Sequence, residues 1–300
     1  MLSTTYAPAT AVSLALVLGS LAQGRSDPTF RVESGSWWLA FTTPDGPATL
    51  RLRTIIDGIE AQSWGAGAAH ALEGVPDLLG ARDDASGFDP SRHPLIAELH
   101  HRFPGLRLTR AARVMAFLVP TVLGQKVTGL EQKRAWRELV LRHGEPAPGP
   151  APRGMRVAPA PDRWRKVPSW EWHTAGVGPQ RSDTIMRAVK VGDALERIVA
   201  VDAAEASRRL RTIAGIGVWT AAEVVQRSHG DSDAVSVGDF HLSKAVGTAL
   251  IGKRVDDDGM LELLEPWRGH RQRVVRLIEA AGIGYERHGP RFAPPEHRAR

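Results

Sequence analysis

Cysteine is absent from the 300 residues, and that one absence removes disulfides, thiolate zinc sites, Cys-ligated iron–sulfur clusters and cysteine nucleophiles together. Metal-ligand spacing is missing as well. The 11 histidines form no H-E-x-x-H pattern, and Asp256-Asp257-Asp258-Gly259 puts no acidic residue at the first position of a calcium loop. No catalytic metal is expected. A membrane span is missing too: the apolar run over residues 11–22 matches a signal-peptide core in length but falls short of about 20 residues. A secretory signal carries positive charge ahead of such a run, whereas the first charged side chain here, Arg25, follows it. The run is therefore expected to pack as a buried strand or helix of a cytoplasmic protein. There is no internal repeat of fixed period and no oligomerisation heptad, so a monomer is expected.

Against these absences stand 42% hydrophobic residues, enough for a sizeable core, and a length that suits two domains at about 150 residues each. The balance of 39 basic against 33 acidic side chains, +6, favours a polyanionic partner without establishing one. From residue 29 to about 64 apolar residues alternate as in half-buried strands: Phe30 and Val32, then Trp38, Ala40 and Thr42, then Leu50 and Leu52. Pro44-Asp45-Gly46-Pro47 supplies turn chemistry between two of these runs. Beyond Phe88 apolar residues recur at three and four, as in Leu95, Ile96, Leu99 and Phe103. Helices are predicted over 110 to about 125, 128–143, 181–190, 202–211, 219–228, 240–251 and 268–281. Asp202 with Glu205 has the form of a capping box, Pro179 sits where an N1 proline is tolerated, and Gly282 follows an apolar stripe as a C′ residue does. Pro120 should kink or split the first of these helices. Six prolines between His143 and Asp162 predict an extended, linker-like loop over 144–161. The expected fold class is mainly α with an N-terminal antiparallel β-sheet region (α+β). It divides into an N-terminal domain (1–90), a helical domain (91–286) and a basic, flexible tail (287–300).

The stretch richest in chemistry runs from Leu210 to Glu223, an apolar helix end, a Gly215-Ile216-Gly217 turn and a second helix. The glycines let the chain reverse tightly, and the following helix presents unpaired N–H groups and a positive dipole end to an anion such as a DNA phosphate. An ordinary helix-turn-helix corner reads the same way. About twenty residues on comes Val235-Ser-Val-Gly-Asp-Phe-His-Leu-Ser-Lys244, with Asp239 at the mouth of the next predicted helix. Asp239 can cap that helix, and a cap can also be catalytic.

Together these residues resemble the helix-hairpin-helix DNA glycosylases, in which a Gly/Pro-rich loop and an essential aspartate follow the hairpin. Within that family they are most similar to the bacterial 3-methyladenine DNA glycosylase II group. Val122-Leu-Gly-Gln-Lys-Val-Thr128, Gly176-Val-Gly-Pro-Gln-Arg-Ser182 and Pro266-Trp-Arg-Gly-His270 also resemble motifs of the group. The likeness covers about residues 110–281 and is looser over the first ninety. It implies a protein acting on double-stranded DNA at the nucleoid, which flips a damaged base out of the duplex and cuts its bond to the sugar. Asp239 is then the carboxylate that stabilises the oxocarbenium-like sugar and orients water. Trp219 and Trp267 match pocket positions that favour a cationic alkylated purine through their π faces. Bifunctional members carry a Schiff-base lysine at the position of Trp219, so hydrolysis without strand cleavage is expected. Either tryptophan could instead serve core packing.

Two departures bear on substrate. Glu223 stands where the group has a pocket tyrosine, as a charge for a cationic base, a hydrogen-bond acceptor for another lesion, or a solvent-facing residue. Lys126 occupies the position of an apolar wedge. Gln125 beside it either touches the neighbouring base or backbone, or packs as a buried amide. Arg208, Arg209, Arg211, Arg271 and Arg273 are compatible with phosphate contact, although arginine outnumbers lysine along the whole chain. No cofactor is expected beyond a monovalent cation that the resemblance places at the hairpin. The sequence thus predicts a monofunctional glycosylase for alkylated purines. The alternatives are a glycosylase for oxidised or deaminated bases and a non-catalytic, damage-sensing DNA-binding protein.

Overall fold

The alternating segment folds as four consecutive antiparallel strands, β2 (Phe30–Glu33), β3 (Ser36–Thr43), β4 (Gly46–Ile55) and β5 (Gly58–Trp64). In the computed structural model, which describes residues 1–284, a further strand, β1 (Leu2–Tyr6), pairs antiparallel with β5 and completes a sheet of order β1-β5-β4-β3-β2. β1 escapes a reading by hydrophobic pattern because four of its five residues are exposed. The expected turn joins β3 to β4, where Thr43 pairs with Gly46 across Pro44-Asp45. Leu39, Phe41, Leu50 and Leu52 point from the sheet into the main core. Trp38 and Ala40 lie in a second cluster on the other face, with Met155 and Val157.

That second face corrects the linker expectation for 144–161. The segment forms a small antiparallel ladder, Glu145–Pro146 with Arg156–Val157, and Arg156 N–H donates to the Pro28 carbonyl at 2.8 Å. Its prolines hold an extended path that lays Met155 and Val157 over the sheet, so the segment is a cover and not a spacer.

Residues 11–22 form a short helix, Leu14–Leu18, continued by a 3₁₀ turn, Gly19–Leu21, with Leu14, Val17, Leu18 and Leu21 buried. Among the described residues no helix is long and apolar enough to cross a membrane. The helix expected from 110 begins only at Met115 and runs to Leu123. Ahead of it, Ala111 and Ala112 donate their N–H groups to the carbonyls of Arg227 and Ser228. The helix start is fixed by a distant residue: both Glu196 carboxylate oxygens accept backbone N–H groups, from Val114 at 2.8 Å and Met115 at 2.9 Å. Pro120 is accommodated without a split. The helix Gly129–His143 starts on a reciprocal capping box, Thr128 with Glu131. At Asp202 the box is only half made: Asp202 accepts the Glu205 N–H, but the Glu205 carboxylate turns to Arg208 and Arg209. Gly282, at φ +67°, closes the helix Arg271–Ala280 as expected, with Gly282 N–H on the Glu279 carbonyl.

The helices sort into two hydrophobic clusters. One joins the sheet to the helices from Met115 through the hairpin and includes Leu50, Leu118, Leu139, Ile185, Leu210 and Val224. The other holds Ile96, Leu99, Val246, Met260, Trp267 and Val274. Asp83 and Arg273 form a buried bidentate ion pair that ties the helix Arg271–Ala280 to the loop after residue 80, with side-chain exposures of 1% and 4%. The tail expected over 287–300 lies outside the described residues.

Candidate active site

The hairpin consists of the helices Ala203–Leu210 and Val218–Ser228 with the turn 211–217 between them. Ile216 is the buried plug of the turn. Gly215 has φ +98°, and a Cβ built there would lie 2.1 Å from Thr184 Oγ1, so conformation and space both demand glycine. Gly217 is the N-cap of the second helix and no side chain caps that end, which leaves its first N–H groups for a ligand. Gln125 Nε2 donates to the Gly215 carbonyl and to Thr220 Oγ1, both at 2.9 Å, so this residue clamps the turn. Lys126 follows, exposed, in the turn after the helix Met115–Leu123 with φ +54°, a left-handed conformation unusual for a side chain of this size. Arg181, of the Gly176–Ser182 motif, joins the same assembly by donating to the carbonyls of Leu123 and Gly176. Burial lowers its pKa, with Glu131 acting in the opposite sense.

Asp239 sits 20 residues beyond Trp219 in sequence and next to it in space. Its Oδ1 accepts the N–H groups of His241 at 2.8 Å and Leu242 at 2.9 Å, at the start of the helix Leu242–Ile251. Its Oδ2 accepts the Trp219 indole N–H at 3.2 Å. The helix starts at Leu242 and not at Phe240, with His241 as its N-cap, so Asp239 holds the turn that leads into it, and the same bonds fix the carboxylate at the edge of a cavity of about 360 Å³, of which it is a wall residue. The cavity lies between Glu223, Gln226 and Arg227 of the hairpin's second helix, Ser236 to Leu242, and Gln272, Val275, Arg276 and Glu279 of the helix Arg271–Ala280. Glu223 is on the wall, half-buried, with both oxygens engaged: one with Arg227 at 3.0 Å and one with the Ser236 hydroxyl. It is therefore not an unpaired charge.

Trp267 is placed elsewhere. Its ring is buried among Ile96, Leu99 and Val274, its indole N–H donates to the Asp89 carbonyl at 2.8 Å, and it does not line the cavity. Of the five arginines singled out, four are paired within the chain: Arg208 and Arg209 with Glu205, Arg271 with Asp233, Arg273 with Asp83. Glu205 is drawn down to about 2 by hydrogen bonds from Arg208 and Arg209. For Asp233, burial pushes upward but the hydrogen bonds and charge of Arg271 outweigh it and hold the carboxyl low. Only Arg211 of the five is left exposed without such a partner. Among the described residues there is no group of three or more His, Asp or Glu able to hold a metal.

Pattern reading missed Gln226, Arg227, Ser236, Gln272 and Arg276. The detectable signal was the spacing of Gln272, Val275, Arg276 and Glu279, which puts one mixed stripe on a helix whose other side is core.

No protein-family model matches the chain, and no curated protein matches it. Solved structures do. A 3-methyladenine DNA glycosylase from Archaeoglobus fulgidus superposes with a TM-score of 0.75 at 17% identity, over 93% of this chain and 98% of that one. An 8-oxoguanine glycosylase/lyase from Clostridium acetobutylicum, in complex with DNA, gives 0.68 at 14% identity over 91% and 93%. A 3-methyladenine DNA glycosylase from Schizosaccharomyces pombe, in complex with abasic DNA, gives 0.53 at 16% over 67% and 97%. The chain has the fold of the helix-hairpin-helix DNA glycosylases, an α+β fold with an antiparallel sheet beside the helices.

Proposed function

We propose that this protein is a DNA glycosylase that hydrolyses the N-glycosidic bond of a damaged base in duplex DNA and leaves an abasic site. The observation that carries this reading is the Asp239 carboxylate, held by two backbone N–H groups and an indole at the edge of a cavity beside a hairpin with a bare helix N-terminus. The open N–H groups and Arg211 suit a DNA phosphate, and Lys126 suits the space a flipped base leaves. In the cleft the C1′–N bond breaks and its electron pair leaves with the base. The sugar becomes oxocarbenium-like, and the fixed negative charge of Asp239 stabilises it. Water adds to C1′ and its proton passes to the carboxylate. Strand cleavage through a Schiff base needs an amine at C1′, yet an indole stands at the hairpin position and no lysine lines the cavity among the described residues.

A monovalent cation at the hairpin would be held by backbone carbonyls. Those of Ile213, Ala214 and Gly215 each accept one protein N–H and keep a second lone pair. No step depends on it.

For the substrate, the resemblance and the names of two matching structures point to alkylated purines. One observation favours a second reading, an oxidised or deaminated base: among the described residues no Trp, Tyr or Phe lines the cavity to offer a π face to a cationic base. The test uses duplexes each carrying one lesion. Free base with alkali-labile sites, and no borohydride-trapped adduct, is the expected result. Tight binding with no released base would contradict it and mark a damage-sensing binder, and a trapped adduct would contradict the hydrolytic route.

A further inference from the structure

Asp239 lies between two elements that differ in what they show to solvent. On one side is the hairpin, whose Trp219 indole reaches the carboxylate at 3.2 Å. On the other is the turn into the helix Leu242–Ile251, where the residue directly after the carboxylate, Phe240, is 72% exposed. A single exposed apolar side chain is ordinary on a protein surface. Phe240 differs in being held. Lys244 donates to the Phe240 carbonyl at 2.7 Å and sets its Nζ 3.5 Å from the ring centroid. The His241 ring stands nearly perpendicular to that of Phe240, at 88° and 5.0 Å between centroids. The backbone beneath is fixed as well, since the N–H groups of His241 and Leu242 bind Asp239. The ring is thus anchored and still open to water.

Its place is the rim of the cavity. Asp239, His241 and Leu242 line the cavity while Phe240 between them does not, so its side chain projects outward from the lip. Trp170, also exposed, sits on the short helix Ser169–Thr174, away from the cavity wall. Consecutive Cα atoms are about 3.8 Å apart, so a strand whose extruded sugar rests at Asp239 brings its next nucleotide within reach of the Phe240 ring. Extruding a nucleotide strips its neighbours of a stacking partner, and an aromatic face replaces that partner whatever the base. Lys126, at the wedge position, offers a charge and not a flat apolar face.

We infer that Phe240 stacks on the base next to the extruded nucleotide, on the side away from the hairpin, so that the damaged strand is gripped on both flanks of the reacting carbon. This rests on the glycosylase reading and adds a positioning residue to it, since Phe240 touches none of the reacting atoms.

The experiment is a double-mutant cycle between this ring and the flanking base. Affinities of the wild-type chain, Phe240→Ala and Phe240→Tyr are measured for a duplex with one baseless tetrahydrofuran site, and for two duplexes with a second such site immediately 5′ or 3′ of the first. Whatever the second site does to the DNA itself acts on all three proteins alike and cancels in the cycle. Phe240→Ala is expected to bind the single-site duplex about 10- to 100-fold more weakly at an unchanged Tm, with Phe240→Tyr close to the wild type. On one flank only, removing the neighbouring base should cost the wild type the same factor and cost Phe240→Ala nothing further. Unchanged affinity in Phe240→Ala, or an equal loss on all three duplexes, overturns the inference; if the wild type still releases base from a lesion-bearing duplex, the glycosylase reading stands. A wild-type chain that releases no base and binds the tetrahydrofuran duplex no more tightly than intact DNA overturns both.

Discussion

The mouth of the site and the cavity behind it are built on opposite principles. At the mouth the groups around the carboxylate are committed to the fold: Asp239 accepts three hydrogen bonds, Gln125 clamps Gly215 and Thr220, and Glu196 fixes the start of the helix that delivers Gln125. In the cavity two ion pairs, Arg227 with Glu223 and Arg276 with Glu279, offset each other's charge, and one buried amide oxygen, that of Gln272, has no hydrogen-bond partner. A reaction that stabilises one developing charge needs a fixed carboxylate, so the mouth is prewired.

The largest effect expected from breaking this contrast lies in the frame behind Gln272. Asp83→Ala strands the buried Arg273 guanidinium on the helix that carries Gln272 and should cost about 3–5 kcal/mol of stability, read as a drop in Tm or denaturant midpoint. An unchanged Tm would show that the cavity wall does not depend on that pair. At the mouth, Gly215→Ala adds a Cβ on top of Thr184 Oγ1 at a positive φ. A loss of about 1–3 kcal/mol is expected, with weaker DNA binding, measured by unfolding and by fluorescence anisotropy. Pairing it with Thr184→Ala should recover only the steric part.

Trp219→Phe keeps an aromatic ring, though a smaller one, and deletes the N–H to Asp239. It should lower the base-release rate about tenfold while DNA affinity holds, because a hydrogen bond to a charged group is worth about 1.5–3 kcal/mol and the two backbone donors remain. An equal fall in affinity would make Trp219 a DNA contact instead. The smallest effect belongs to Arg211→Ala, expected to weaken binding a few-fold for every sequence and to flatten the salt dependence by about one phosphate contact. Arg208→Ala, whose guanidinium is held by Glu205, should leave that slope unchanged.

The same contrast governs what can be read from sequence. The hairpin is local: Gly215, Gly217, Trp219 and Asp239 lie within 25 residues, and the motif that joins them maps onto one place in the fold. The sheet was legible for a similar reason, since β2 to β5 form a meander in which each strand pairs with the next. The cavity walls come from segments far apart, with Arg107, Glu223 and Gln272 brought together only by tertiary packing. Trp267 shows the opposite limit: it sits in a motif-like stretch yet is buried in the second core, where its indole bonds to Asp89. The Pro-rich segment read as a linker because composition reports stiffness and not where a stiff chain docks; Trp38 and Met155 decide that.

The central claim is that the Asp239 carboxylate carries the chemistry. Its most direct test is the single-turnover rate of base release by Asp239→Asn, on a lesion the wild-type chain processes, with DNA affinity measured alongside. Asparagine keeps the shape and can still cap the helix start, so affinity should hold while the rate falls by about a thousandfold or more, the cost of removing a charge poised at the transition state. A mutant that releases base at close to the wild-type rate would contradict the account.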